Sequence, residues 1–247
     1  LYAGEVTLVD RWVGFLLDRI ATLGLLENTA VIFVSDHGFY LGEHGYIGKS
    51  LLRRDAYQSL PLYPEVARIP MLIYFPAIRQ LTDSRMEALV QPVDVTATVL
   101  DLLGVQKPAS IEGASLVPLL EGRASKIKDI AIGSPTLFQN AETPPSPADR
   151  SSITDGEWLL IFGPRLDETA RERYTASVDS IVRKVKEEQG EIHPELFNLE
   201  RDPICEKNLF GSEPAVAARL HAAYIEFLES KDYPRERLEM FRHLEGS

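Results

Sequence analysis

The run Val31-Ile32-Phe33-Val34-Ser35-Asp36-His37-Gly38 decides the fold. Its first four residues are all apolar, which is the pattern of a strand covered on both faces. The strand ends in a carboxylate, an imidazole and a glycine. Open α/β sheets bind ligands at the carboxyl ends of their strands, so Asp36 and His37 mark a candidate site. Upstream, Val6, Val9, Val13, Leu16, Leu17, Ile20 and Leu23 recur at helical spacing, and Gly24 is a stop signal. A helix running directly into an apolar strand suits a parallel sheet.

Downstream comes a glycine-rich loop from Gly38 to Gly48, then an irregular stretch through Pro64. Arg68 to Pro76 reads as a second buried strand with prolines at its ends. Helices are expected from about Val95 to Leu103 and from Ser115, as a cap, to Leu120, with a further strand at Asp129–Ile132. Residues 140–149 have the composition of a linker. Beyond it, Ser151–Thr154 and Glu157–Phe162 read as a hairpin turning at Asp155-Gly156. A charged helix over Asp167–Glu188, a strand at Glu195–Leu199 and a helix at Glu213–Ser230 follow. The expected fold class is α/β over residues 1–135, part of a mostly parallel sheet flanked by helices. Residues 136–247 form a small α+β subdomain with antiparallel strands.

Composition excludes some functions. A net charge of −11 over 247 residues, with no long basic stripe, argues against a nucleic-acid binder. No apolar run approaches the roughly 18 residues of a membrane span. Cys205 is the only cysteine, so no internal disulfide exists, and its polar turn gives no reason for a reactive thiol. Leu1 carries neither an initiator methionine nor a signal sequence. The chain therefore reads as cut from something longer, and its compartment is not read from it.

Asp36 offers a hard oxygen and His37 a nitrogen lone pair; with Gly38 permitting a sharp turn, both can converge on a metal ion. The plainer alternative is a carboxylate capping the turn beside a surface histidine. Lys49 follows Asp36 by thirteen positions, after four glycines, and is a mobile cation suited to an anionic oxygen, or simply a solvated lysine. His44 can donate a proton to a leaving group or hydrogen-bond within its own loop. Arg53, Arg54 and the loop through Tyr63 follow Lys49 closely and are candidates to recognise an anionic or sugar-like substrate; a solvated insertion is the alternative.

Ser35-Asp36-His37-Gly38-x-x-Leu41-Gly42-Glu43-His44-Gly45-x-x-x-Lys49 resembles the second conserved motif of the sulfatases, in the alkaline phosphatase superfamily. Other pieces fit the same family in order. Tyr2 to Gly14 resembles the helix before that motif, and Arg68-Ile69-Pro70 the start of its next strand. Val93 to Gly104 is similar to a VDxxPTxLDLxG segment, with Ala97 where proline is common. Glu112-Gly113-Ala114-Ser115-Leu116 resembles an xGxSL segment. Glu195 to Leu199, with Asp202-Pro203 and Asn208-Leu209, resembles a stretch near sulfatase C-termini.

The resemblance implies that Asp36 and His37 are ligands of a divalent metal, calcium in most of the family. It implies that Lys49 contacts the sulfate group or the bridging oxygen of a small-molecule or carbohydrate sulfate ester. Sulfatases use a formylglycine made within a C/S-x-P-x-R run, and none occurs here. The pair of aspartates that completes the metal site is also absent. The expectation is a C-terminal portion of a sulfatase, inactive alone, whose partner is the N-terminal half of the same protein. The alternatives are a phosphonate monoester or phosphodiester hydrolase of the same superfamily, or a non-catalytic binding module.

Overall fold

The computed structural model describes residues 1–53, 56–77, 85–134, 150–165 and 193–244. The linker at 140–149, the charged helix at 167–188 and Arg54 lie outside the described residues.

Helix α1 spans Tyr2–Thr22 and is capped by Leu23, with Gly24 in the left-handed region at φ 71° as the pattern predicts. Only Val13, Leu17 and Ile20 are partly covered; Val9 and Leu16 are half-exposed. Strand β1, Val31–Val34, follows, and the chain turns at Asp36-His37. Two small hairpins come next: β2 (Tyr40–Leu41) with β3 (Ile47–Gly48), and β4 (Ser50–Arg53) with β5 (Ala56–Ser59). The second hairpin occupies part of the stretch expected to be irregular. Helix α2 (Pro64–Ala67) starts with proline in its first turn, where the missing N–H costs nothing. Strand β6 is Met71–Tyr74.

The parallel-sheet expectation is corrected here. The partner of β1 is β6, running antiparallel, with Val31 opposite Tyr74 and Val34 opposite Met71. Every strand pairing among the described residues is antiparallel. A helix that precedes a strand fixes neither the strand's neighbour nor its direction. Nor are β1 and β6 covered on both faces within the described residues: Phe33 and Leu72 are exposed. An all-apolar run reports what a strand can bury, and the layers that bury it need not come from the same stretch of chain.

Helix α3 (Val93–Leu102) and helix α4 (Val117–Leu120) are joined by a buried polar network. Asp94 is fully buried. Its Oδ1 accepts from the Ala114 N–H at 2.9 Å, and its Oδ2 accepts from the Gln91 N–H and from Lys128 Nζ, both at 2.7 Å. Thr98 Oγ1 donates to the Asp94 carbonyl and accepts from the Leu116 N–H. Ser115 is the expected cap of α4, but the helix starts two residues later with Leu116 at the cap position, and Ser115 Oγ, one residue outside it, accepts the Val117 N–H. A Cβ on Gly113 would sit 2.0 Å from the Val93 carbonyl oxygen, so only glycine permits this approach. Both family-like segments around Asp94 and Gly113 are therefore scaffolding that locks these two helices together.

The four-stranded antiparallel sheet has the order β10-β9-β8-β7, with β7 Ala131–Gly133, β8 Ser151–Thr154, β9 Trp158–Phe162 and β10 Glu195–Asn198. The antiparallel strands expected in the C-terminal part are present. The β8–β9 turn centres on Gly156-Glu157, one residue later than the pattern predicts. Asp155 Oδ1 accepts the Glu157 and Trp158 N–H groups there, and Gly156 takes φ 99°. Alternation along β9 then separates two cores. Leu160 and Phe162 face helices α5 (Pro214–Ser230) and α6 (Arg235–Glu239) through Leu220, Tyr224, Leu228 and Phe241. Leu159 and Ile161 face the other way, onto Tyr40, Leu60, Tyr63, Val66 and Cys205. Each such side chain contributes about 1.5–3 kcal/mol on burial. The second core fixes the loop that carries the candidate site.

Asn208 and Asp202 explain the last family-like stretch. Asn208 Oδ1 accepts the Leu196 and Phe210 N–H groups, while Asp202 accepts those of Glu206 and Lys207. They pin the turn beyond β10 to the sheet.

Candidate active site

Asp36 and His37 sit at the carboxyl end of β1, where a short set of hydrogen bonds holds the corner. Ser35 Oγ donates to the His37 carbonyl at 2.8 Å. The Gly38 N–H donates to the Val66 carbonyl at 2.8 Å, and the Phe39 N–H to the Glu65 carbonyl at 3.0 Å. The corner is thereby tied to α2. A Cβ on Gly38 would lie 1.8 Å from the Glu65 carbonyl oxygen, so glycine is required for close approach.

Each of the two side chains uses one atom locally and leaves another. Asp36 Oδ1 accepts the His37 backbone N–H at 2.8 Å. His37 Nδ1 lies 2.8 Å from the Gly38 carbonyl and so carries the proton of that bond. The remaining atoms, Asp36 Oδ2 and His37 Nε2, converge at 3.3 Å. An anionic oxygen and a ring nitrogen lone pair facing one another call for a proton or a cation between them. A backbone carbonyl fixing the tautomer of a histidine is the usual outer partner of a metal-bound imidazole. The residues present fit a divalent cation as two of its ligands. Among the described residues no cluster of three or more His, Cys, Asp or Glu completes the set.

The His37 N–H holds the Asp36 carboxyl below its ordinary pKa, and the charges of His37 and Lys49 add to the effect. Lys49 is exposed, and its carbonyl accepts the Leu60 N–H at 3.3 Å. The structure thus brings Asp36, His37 and Lys49 into one electrostatic neighbourhood. Arg53 is placed only as a position in β4.

His44 packs elsewhere, at the tip of the β2–β3 hairpin. Gly42 at φ 137° and Gly45 at φ 74° flank it, and His44 itself adopts φ 52°. Glu43 secures the loop by accepting the Leu41 N–H at 2.6 Å, which lowers the pKa of its carboxyl. The imidazole stacks on Tyr63 at 3.9 Å between ring centres, 15° from parallel, and meets Tyr40 edge-on. Its Nε2 is buried without a hydrogen bond, 3.5 Å from Glu65 Oε2, which is equally buried and unpaired. A buried polar atom left unsatisfied costs about 1–3 kcal/mol. Tyr40 donates to the Pro61 carbonyl at 2.5 Å. Tyr63 donates to Glu195 Oε2 at 2.7 Å, and Arg150 pairs with the same oxygen. Burial raises the pKa of both phenols.

The sequence reading missed Glu65 and Glu195, and took Tyr63 only as the end of a substrate-recognition loop, not as a partner of His44 or Glu195. No local pattern exposes the contact between Tyr63 and Glu195, because it spans 132 positions. Glu65 carried a signal: a carboxylate in a short proline-started helix just before the Arg68-Ile69-Pro70 strand entry.

Asp36 and His37 thus end a strand, and Lys49 follows the glycine-rich β2–β3 hairpin. Residues 1–105 match the sulfatase family model. An N-acetylglucosamine-6-O-sulfatase of Bacteroides thetaiotaomicron is 37% identical over 129 residues, covering 52% of this chain and 21% of that protein. An arylsulfatase of Clostridium perfringens is 27% identical over 247 residues, covering 99% of this chain and 40% of its own length. A protein solved in complex with its substrate D-glucosamine-2-N,6-O-disulfate superimposes with a TM-score of 0.67 at 25% identity, over 93% of this chain and 40% of that one. The chain spans two fifths or less of the length of these relatives. The family-like pieces beyond residue 105 fall within the match to the arylsulfatase.

Proposed function

We propose that this chain is part of a hydrolase that cleaves carbohydrate sulfate esters, with Asp36, His37 and Lys49 handling the sulfate group. The observation that carries the reading is the corner where Asp36 Oδ2 and His37 Nε2 converge beside the charge of Lys49. A divalent cation, calcium in this reading, would neutralise and polarise the sulfuryl oxygens when held by these two residues together with oxygen ligands from elsewhere in the protein. Lys49 stabilises negative charge as the ester bond breaks. His44 gives a proton to the departing alcohol. The nucleophile is expected to be a formylglycine on a segment preceding Leu1, because no C/S-x-P-x-R run occurs in these 247 residues. The chain alone is then inactive, and its N-terminal counterpart is its obligate partner.

Support for a sulfated amino sugar as substrate comes from the relatives, one an N-acetylglucosamine-6-O-sulfatase and one solved with a sulfated glucosamine. The test is hydrolysis by the intact protein of an aryl sulfate, an aryl phosphonate monoester and a 6-O-sulfated glucosamine. Turnover of both sulfates, lost in Asp36→Ala and on chelation of divalent ions, is expected. A large preference for the phosphonate would replace the sulfatase reading. Sugar binding without turnover of any ester would leave a binding module.

A further inference from the structure

The corner that carries Asp36 and His37 turns on the residue least able to hold a shape of its own. Gly38 is required by its close approach to the Glu65 carbonyl. A residue without a Cβ also offers the least resistance to rotation of the peptides on either side. Both of those peptides are nevertheless held at both ends. In the His37–Gly38 peptide, the carbonyl accepts from Ser35 Oγ at 2.8 Å and the N–H donates to the Val66 carbonyl at 2.8 Å. In the Gly38–Phe39 peptide, the carbonyl accepts from His37 Nδ1 at 2.8 Å and the N–H donates to the Glu65 carbonyl at 3.0 Å. Main-chain carbonyls and the His37 ring supply the other bonds; the Ser35 hydroxyl is a separate side chain brought to the corner. Ser35 is anchored in turn. Its N–H donates to the Pro70 carbonyl at 3.4 Å, just before β6 begins, so it extends the β1–β6 pairing by one position.

We propose that Ser35 is a positioning residue for the cation site: its hydroxyl fixes the His37–Gly38 peptide and so keeps His37 Nε2 turned toward Asp36 Oδ2. This rests on the reading of Asp36 and His37 as two ligands of a divalent cation. The influence passes through consecutive bonds. Without the hydroxyl, the His37 carbonyl loses its donor and the peptide is free to rotate at Gly38. Rotation there carries the Gly38 carbonyl away from His37 Nδ1. The ring then loses the acceptor that fixes its tautomer and its direction, and Nε2 is no longer dedicated to the cation. Asp36 is less dependent on Ser35, because its Oδ1 takes its orientation from the His37 N–H at 2.8 Å. His37 is therefore the ligand that loss of the hydroxyl disturbs. Ser35 acts on it from the protein side, through the peptide, and its effect is on how well the cation is held.

The test measures calcium binding to the intact protein by titration calorimetry. Ser35→Ala is expected to weaken calcium about tenfold to a hundredfold, the range found when an outer partner of a metal-bound histidine is removed. Ser35→Thr keeps the hydroxyl and is expected to restore the affinity. The second readout is the metal-free protein labelled with 15N-histidine, at about pH 8, above the ordinary imidazole range. The His37 ring, assigned by its loss in His37→Asn, is expected as a single Nδ1–H form in the wild type and as a mixture of tautomers in Ser35→Ala. Wild-type affinity in Ser35→Ala overturns the proposal, as does an unchanged His37 tautomer. A loss of affinity that Ser35→Thr repeats rather than restores also overturns it, in favour of a packing role for the small side chain. If the wild type binds no calcium, or if His37→Asn binds it as tightly as the wild type, the cation reading fails and the proposal falls with it. If His37→Asn weakens binding and Ser35→Ala does not, the role of Ser35 alone is overturned.

Discussion

Gly38→Ala is the substitution whose effect follows most directly from the geometry. The added methyl would lie 1.8 Å from the Glu65 carbonyl oxygen, 2.8 Å from its carbon and 3.0 Å from Val66 Cα. All three are backbone atoms, so no side chain can swing away. Ordinary contact begins at 3.4 Å, so the corner and α2 must part by about 1.6 Å. The two hydrogen bonds between them, at 2.8 and 3.0 Å, cannot survive that separation. Each contributes about 1 kcal/mol, and leaving part-buried groups unpaired adds about 1 kcal/mol more in all. Against this, alanine stabilises by roughly 0.5–1 kcal/mol through the unfolded chain. The net loss is about 2–3 kcal/mol. At about 2–4 °C per kcal/mol for a chain of this size, the melting temperature falls by roughly 5–10 °C. The same displacement moves Asp36 and His37 by more than an ångström, which costs about a hundredfold in turnover where alignment matters. Gly14→Ala is the control: it lies inside α1 with open space around its Cβ, and should be neutral or stabilising by up to about 1 kcal/mol. Denaturant midpoints and aryl sulfate turnover of the intact protein measure both quantities. A Gly38→Ala protein as stable and as active as Gly14→Ala would refute the close-approach argument.

Removing the Asp94 carboxylate as Asp94→Ala leaves two backbone N–H groups unpaired and Lys128 with only its long bond to Gln91 Oε1, and should cost about 3–5 kcal/mol, read from denaturant midpoints. Adding Lys128→Met should recover part of that loss. Tyr63→Phe removes one hydrogen bond to Glu195 and should cost about 1 kcal/mol while loosening the ring on which His44 stacks, so turnover of an alkyl sulfate should fall without a change in fold by circular dichroism. Cys205 is buried among apolar groups, and burial, with the charges of Asp202 and Glu65, pushes its thiol from 9.0 up to about 12. Its contribution to stability is therefore complete below about pH 9 and is lost as pH rises toward about 12, because the unfolded thiol ionises first. The raised phenols of Tyr40, Tyr63 and Tyr224 act in the same direction from their ordinary value of 10.0 upward. Alkaline unfolding followed by phenolate absorbance should be steep, and Cys205 should resist alkylation at pH 8 until denaturant is added.

The parts of this fold legible in the sequence are those whose cause is local. Gly24 ends α1 because only the left-handed region continues the chain there. The Asp36-His37 corner is legible for the same reason, since strand, carboxylate, imidazole and glycine are contiguous. Strand pairing was not: β1 meets β6 across forty positions, and nothing in Val31–Val34 encodes the direction of its neighbour. The segment around Asp94 resembled a family signature without disclosing its work. Only the contacts to Ala114, Gln91 and Lys128 show that it is a buried clamp rather than part of the chemistry.

The same distinction bears on what the C-terminal sheet is for. Leu160 and Phe162 would suffice to bury one face against α5 and α6. The opposite face, through Leu159, Ile161 and Phe197, closes instead over Tyr40, Leu60 and Tyr63. Glu195 and Arg150 then grip the Tyr63 hydroxyl from that sheet, and Tyr63 in turn supports the His44 ring. A hairpin tip with two glycines in the left-handed region and a histidine at φ 52° has little rigidity of its own. Its order is imported from β9 and β10, through one aromatic ring and one carboxylate. The C-terminal strands are therefore as much a part of the candidate site as the corner at the end of β1. A change at Glu195, far in sequence from any residue placed on the sulfate, should be read first as a change in how His44 is held.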